Sequence, residues 1–366
     1  MASQQLGQRR NLIMTNRLHQ KAKPPRALRV GFVPLCDCAP FVVAEELGLF
    51  TRQGLRVELS REAGWATIRD KIIYRELDAA HATAPMVMSA TLGLASSPVE
   101  CLTGLVLNLH GNAITLSNRL WDAGVRDGSS LREFIRARRG QPPLVLGVVF
   151  KYSTHNFLLR KWLRENGLNP ERDVRIVVVP PPQMAGNLRV GNLDGYCVGE
   201  PWNSVAVRQR AGWVVATSGA ISRWHPEKVL MVRRDFAESR AEEHLRLIAA
   251  LAEACSYCEQ LENRERLLEL LAHPRYVSTS TAALRTSLCG PFDFGKERVE
   301  NVAEFHIFSR HNANEPTSER AAWVLENLRD LDVFAGKVPA EVSQLLRGFR
   351  PDIYRQAVPA PAVMQV

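Results

Sequence analysis

The chain has 366 residues, 46% of them hydrophobic, which suits a packed globule of two ordinary lobes and excludes a disordered chain. Its net charge of +9 fits an anionic ligand, nucleic acid or an acidic partner protein, without choosing among them. No apolar run approaches the roughly 20 residues needed to span a bilayer, so no membrane segment is expected.

Six basic residues, Arg9, Arg10, Arg17, Lys21, Lys23 and Arg26, precede the first element, with no Asp or Glu among them. The longest apolar run there, Leu12-Ile13-Met14, is short of the roughly 7–15 residues of a secretory core. Residues 1–27 read as a disordered basic leader, and the expected location is cytoplasmic. Residues 28–33 form a buried strand, residues 39–50 a helix with Phe41, Ala44, Leu47 and Leu49 on one side, and Gly54 turns the chain into a strand at 55–59. A helix over 65–77 points Ile68, Ile72 and Ile73 inward; a short strand at 78–83 follows, and Pro85 opens another helix. Residues 99–109 are a strand-like apolar run.

A second alternating set comes next. Ser129 and Ser130 are expected to cap a basic helix over 131–139, followed by a strand at 144–150 and a helix at 153–166 ending at Gly167. A strand at 174–179 stops at Pro180-Pro181-Pro182; then come a short helix at 183–190, a strand at 195–199, a helix opened by Pro201, and a strand at 213–217. Residues 229–232 make one more strand. Helices then dominate, at 242–261, 267–271 and 318–331, and the tail from Pro351 reads as loose. Alternating strands and helices imply parallel sheets. Seven cysteines at irregular spacing make no disulfide framework and suit a reducing compartment. Cys36-Asp37-Cys38 and Cys255-Ser256-Tyr257-Cys258 read as buried thiols, since neither pair has the second pair a zinc site needs.

No nucleophile constellation, metal cluster or phosphate loop stands out, which points to a small-ligand receptor and not to an enzyme; no cofactor is expected. Residues 62–85, EAGWATIRDKIIYRELDAAHATAP, carry the phrases WATIRDK, ELDAAH and AP in order. With Asn156-Phe157-Leu158, Gly199-Glu200-Pro201-Trp202-Asn203 and Glu227-Lys228-Val229-Leu230, this closely resembles the nitrate and bicarbonate receptors of ABC importers (NrtA/CmpA-like). The resemblance implies a periplasmic-binding-protein-like type II fold: two α/β lobes, two interlobe crossings and a ligand cleft between them. Lobe I would comprise residues 28–117 and 228–350, lobe II residues 118–227, with a loose tail at 351–366. The crossings are expected near 116–118 and 225–228.

The same resemblance implies the binding residues. A planar acceptor-only anion needs donors and a flat surface, with no carboxylate aimed at it. Trp65 would offer its indole N–H and ring face at a helix start, and His155 would donate from the first turn of a second-lobe helix. Gly111 and Asn112 match the polar turn that donates an amide, with asparagine where a glutamine is expected, and Pro181 and Gln183 lie where the pocket wall closes. Lys228 is the charged donor; lysine there goes with nitrate receptors and an acidic residue with bicarbonate ones. Without an export signal, the chain resembles the NasS-type cytoplasmic nitrate/nitrite sensors. They hold a NasT-type ANTAR antiterminator, an RNA-binding protein, until ligand arrives. The sensor itself is not expected to bind nucleic acid, since no helix-turn-helix stands apart. A receptor for import and, remotely, an enzyme resembling thiamine-pyrimidine synthases are the alternatives.

Overall fold

The computed structural model of the chain describes residues 26–335 and 339–359. The expected leader lies outside these residues apart from Arg26 and Ala27. Arg26 is ion-paired to the buried Asp78 at 2.5 Å, which ties it to the first lobe.

Two sheets organise the molecule. The first contains β1 (Leu28–Phe32), β2 (Val57–Arg61), β3 (Ala79–Thr83), β4 (Cys101–His110), and, from later in the chain, β10 and β13. The second contains β5 (Asn112–Ser117), β6 (Leu144–Val148), β7 (Val174–Val178), β8 (Gly195–Gly199) and β9 (Gly212–Thr217). The remaining strands are β10 (Pro226–Arg233), β11 (Phe292–Gly295), β12 (Arg298–Glu300) and β13 (His306–Ile307). The sheet orders are β13-β4-β10-β3-β1-β2 and β7-β6-β8-β5-β9, with β11 and β12 forming a separate hairpin.

The sheets are mixed, not purely parallel as the alternation suggests. β1 runs parallel to β2 and β3, and β6 parallel to β7 and β8. The strands that carry the chain between lobes run the other way: β10 is antiparallel to β3 and β4, and β5 to β8 and β9. A strand entering from the opposite lobe must traverse its sheet in reverse. β3, β4, β5, β8 and β10 are buried along their whole lengths, because helices cover both faces.

Several expectations are corrected. The first crossing is at Gly111 and not near 116–118, since β5 already belongs to the second sheet. The apolar run from Val99 to Leu109 stops short of this break, and only strand pairing assigns β5 to the second sheet. The N-cap of the basic helix Gly128–Ala137 is Asp127, whose carboxylate accepts from the Ser130 amide at 2.8 Å; of the two expected serines, Ser130 completes the capping box by accepting from the Asp127 amide at 2.9 Å, and Ser129 is not the cap. Gly48, at φ 67°, divides the expected helix over 39–50 into Ala39–Glu46 and Leu49–Arg52. The tail is not loose throughout: Pro351–Ala357 is a helix, with Ile353 and Tyr354 against the apolar cluster beneath helix Ala241–Glu259.

Each lobe has its own core, and a third cluster runs across both. It joins Trp65, Ile68 and Ile72 of the first lobe to Met184, Tyr196 and Val198 of the second. Polar ties cross beside it. The Cys36 amide donates to the Glu200 carbonyl at 2.7 Å, and the Trp202 indole to the Pro34 carbonyl at 3.1 Å. The lobes are therefore closed on one another. No helix among the described residues is long and apolar enough to cross a membrane.

Candidate functional site

The fully buried Lys228 marks the centre of the interlobe space. It sits in β10, opposite Thr83 of β3 and Asn108 of β4, so the sheet register fixes where its ammonium can reach. Its Nζ lies 2.7 Å from Asp37 Oδ2 and 2.7 Å from Glu227 Oε1. His81 Nε2 approaches the other Asp37 oxygen at 3.0 Å. From the second lobe, Thr154 Oγ1 donates to Glu227 Oε1 at 2.5 Å.

These groups set one another's ionisation. Burial raises the carboxyl groups of Asp37 and Glu227, but the Lys228 charge, with His81 beside Asp37 and His155 beside Glu227, outweighs it. Both are held well below the usual carboxylate range. Burial lowers the Lys228 ammonium, and the two carboxylates more than reverse that. The cluster therefore holds two ionised carboxylates against one ammonium. The expectation of no carboxylate near the ligand is corrected: two of them hold its charged donor.

Trp65 and His155 meet this cluster from opposite lobes. Trp65 opens helix Trp65–Ile73, whose Ile68 and Ile72 anchor it in the core. Its ring centroid is 5.4 Å from Lys228 Nζ and 5.2 Å from the His81 ring. His155 lies in the first turn of helix Thr154–Glu165, after Ser153, whose hydroxyl accepts from the Asn156 amide. Phe157, Leu158, Leu159 and Leu163 bury the rest of that helix. His155 Nδ1 is 3.7 Å from Glu227 Oε1. Burial is the main influence on the His155 imidazole and lowers it to about 3, so the ring is neutral.

The decisive feature is what these side chains lack. The Trp65 indole N–H and both ring nitrogens of His155 have no hydrogen-bond partner among the described residues, although both residues are buried. The Asn112 amide is also unpartnered at both atoms. A Cβ placed on Gly199 would lie 3.2 Å from Asn112 Oδ1 and 3.6 Å from Asp37 Oδ2, so Asn112 and Asp37 share a side of the cleft. Buried polar groups are nearly always satisfied. Unmet donors from both lobes, around one ammonium and one ring face, form a receptor for a small group rich in acceptors.

The other expected residues take different places. Gly111, at φ 96°, serves the crossing: a Cβ there would come within 2.6 Å of His306 Nδ1. Asn112 starts β5 and is not in a turn. Pro181 is buried and starts the short turn Pro181–Gln183; its neighbour Pro180 would lie 4.0 Å from a Cβ on Gly64, beside the Trp65 helix start. Gln183 is exposed, so its side chain does not close the wall as expected. Sequence reasoning missed Asp37, His81 and Thr154, and took Glu227 only as part of a phrase. Asp37 sits between two cysteines that drew attention as thiols; only the fold brings it to Lys228.

The profile of the NMT1-like family matches residues 21–272. The chain belongs to that family. It is 40% identical over 334 residues to the nitrate import ATP-binding protein NrtC of Synechocystis sp., covering 90% of this chain and 49% of that one. It is 37% identical over 304 residues to the bicarbonate transport ATP-binding protein CmpC of Synechococcus elongatus, covering 82% and 44%. The chain thus spans about half the length of these two relatives. Among solved structures, the periplasmic nitrate-binding protein NrtA from Synechocystis PCC 6803 matches with a TM-score of 0.85 and 28% identity, over 93% of this chain and 91% of that one. The fold is accordingly the two-lobed α/β architecture of periplasmic binding proteins.

Proposed function

We propose that the chain is a clamp that binds nitrate or nitrite between its lobes. The observation that carries this reading is the set of unpartnered buried donors: Trp65 Nε1 against Lys228, His155 against Glu227, and Asn112 Nδ2 on the Asp37 side of the cleft. Each unmet buried donor costs about 1–3 kcal/mol, and a planar oxyanion would satisfy several at once while lying against the indole face. The names of NrtC and NrtA agree with such a ligand. Lysine at position 228, which the resemblance associates with nitrate receptors, supports a nitrogen oxyanion over the bicarbonate named for CmpC.

Within this reading, the chain acts in the cytoplasm as a NasS-type sensor. Without ligand it holds a NasT-type ANTAR antiterminator; nitrate or nitrite alters the lobe geometry and releases the partner. Seven free thiols, six of them buried, fit a reducing compartment. Residues 112–225 carry sixteen Lys and Arg against eight Asp and Glu, which suits an acidic partner surface on the second lobe. The second reading, a receptor serving an ABC importer, is favoured by the transport names of the relatives.

Calorimetric titration with nitrate, nitrite and bicarbonate tests the ligand. Saturable binding of a nitrogen oxyanion, weakened about tenfold by Trp65→Phe through the lost donor, is the expected result. Binding of bicarbonate alone, or of none of the three, overturns it. Co-purification with the antiterminator tests the role: the complex should separate on adding nitrate or nitrite. A complex indifferent to both refutes the sensor. Stimulation of a transporter's ATPase by the loaded chain supports the importer reading.

A further inference from the structure

A cavity of about 380 Å³ lies on the first lobe behind the crossing, and Lys228 is not among its lining residues. Its walls are the end of helix Ala241–Glu259, the start of helix Arg264–Ala272, the end of helix Thr281–Leu288, β11 and β13. Its lining mixes two cations, Arg264 and Arg310, with apolar Leu261, Phe292 and Val302.

Two buried polar side chains in this lining are unsatisfied. Arg264 is 5% exposed; one of its terminal nitrogens donates to the Leu288 carbonyl at 2.8 Å, yet its Nε has no partner among the described residues. His306 is 2% exposed, and neither ring nitrogen has a partner there. Both lie against Phe308: the guanidinium carbon is 5.3 Å from that ring, and the His306 ring stacks on it at 5.5 Å. The one carboxylate in the lining, Glu259, is already engaged. Its Oε2 accepts from the amides of Phe308, Ser309 and Arg310, its Oε1 from the Arg310 guanidinium, and Arg264 Nη2 stands 3.8 Å from that Oε1. Two guanidinium groups against one carboxylate leave the cavity with one excess positive charge.

We propose that this cavity is a second ligand site, taking a small organic carboxylate whose head group meets Arg264 and His306 and whose carbon chain lies along Leu261, Phe292 and Val302. A bare triatomic anion would leave most of the volume and all of the apolar lining without contact. A guanidinium N–H and an imidazole N–H are matched donors for a carboxylate. The site adjoins the lobe boundary. His306 pairs with His110 across β13 and β4, one residue before the crossing, and faces Gly111. Thr286 shares a 2.6 Å hydrogen bond with Ser204 of the second lobe, and Phe292 packs with Ala113 and Val214. An occupant here therefore biases closure, and by reciprocity closure biases its affinity.

The test titrates the whole chain with straight-chain mono- and dicarboxylates, from acetate to adipate, with nitrate run in parallel. The proposal does not rest on the nitrate reading. The expected result is saturable binding of a carboxylate of intermediate length that nitrate does not displace. Arg264→Gln should weaken it about tenfold or more, the loss of a charge-assisted bond. Since Arg264→Gln also removes the bond to Leu288, Ala303→Trp at the cavity mouth serves as a blocking variant with the guanidinium intact, and it too should abolish binding. No carboxylate binding in the native chain, unchanged affinity in both variants, or displacement by nitrate one for one would each overturn the second site. Failure of nitrate to bind would overturn only the cleft reading.

Discussion

Lys228 holds the most consequential charge in the molecule, and its surroundings reverse a simple expectation about removing it. Lysine at an anion site could be replaced without harm to the fold if it only faced ligand. Here Asp37 and Glu227 lean on it at 2.7 Å each, with all three side chains fully buried. Removing one partner of a buried ion pair costs about 3–5 kcal/mol, because it strands the others without compensation. Lys228→Met should therefore lower the melting temperature sharply, and adding Asp37→Asn and Glu227→Gln should restore much of it. A single variant as stable as the native protein would refute this account of the cluster. Proton balance is also set here. Burial and nearby Lys228 oppose a charge on His155, while Glu227 and Asp37 favour one; the outcome is a neutral ring, lowered to about 3. A bound anion adds negative charge beside two carboxylates and pulls His155 back toward protonation. Nitrate binding should thus take up protons near neutral pH, and affinity should fall as pH rises through the value His155 adopts in the complex. Titration in buffers of different ionisation enthalpy reads this directly; identical heats in all of them would refute it. In the ligand-free protein the sign is plain. His110, His155 and His306 are lowered from 6.5 to about 3, chiefly by burial, so the unfolded chain binds more protons between those values. Stability is complete above about pH 6.5 and declines as pH falls toward 3, which melting curves across that range would register.

Among the elements, the crossing at Gly111 bears the tightest constraint. It joins two strands of different sheets within one residue, at φ 96°, and its Cα faces the His306 ring. Gly111→Ala would place a methyl group 2.6 Å from His306 Nδ1 and hold a non-glycine residue in a left-handed conformation. That strain costs about 1–3 kcal/mol. The variant should melt at lower temperature and bind ligand more weakly, since the displaced crossing shifts Asn112 along β5. Unchanged melting would show that β13 yields freely. The two helix starts are steadier: Trp65 and His155 hold their places because the helices behind them are anchored by Ile68 and Ile72 and by Phe157 and Leu158. Ile68 and Ile72 are visible in the sequence at helical spacing, and both helix starts could be placed in advance.

At the scale of the whole molecule, the closed arrangement carries a penalty that ligand would relieve. Closure buries the unpartnered donors of Trp65, His155 and Asn112 beside a cluster with excess negative charge. In an open form water would reach them, so an oxyanion that meets the donors in the closed form shifts the balance toward closure. The surface tie from Arg164 to Asp330 at 2.9 Å is exposed and contributes little, whereas the buried ties at Cys36, Trp202 and Thr154 favour the closed form. Small-angle scattering should record a smaller radius of gyration on adding nitrate. An unchanged radius would mean that the clamp does not move, and a sensor mechanism based on lobe geometry would fail with it.

Strand and helix alternation, the position of Lys228 beside Glu227, and the helix starts at Trp65 and His155 were all legible along the chain, because each rests on local periodicity or on a contiguous phrase. The break at Gly111 was not, since nothing in His110-Gly111-Asn112 says which sheet each flanking strand joins, and only pairing assigns β4 and β5 to different sheets. Nor could the meeting of Asp37, His81 and Thr154 around Lys228 be read in advance. Those residues are distant in sequence and unremarkable where they stand; sheet register and the packing of one lobe on the other bring them within hydrogen-bonding range. Local sequence determined which elements form. Long-range packing decided which charges share a buried space, and hence whether that space can hold an anion.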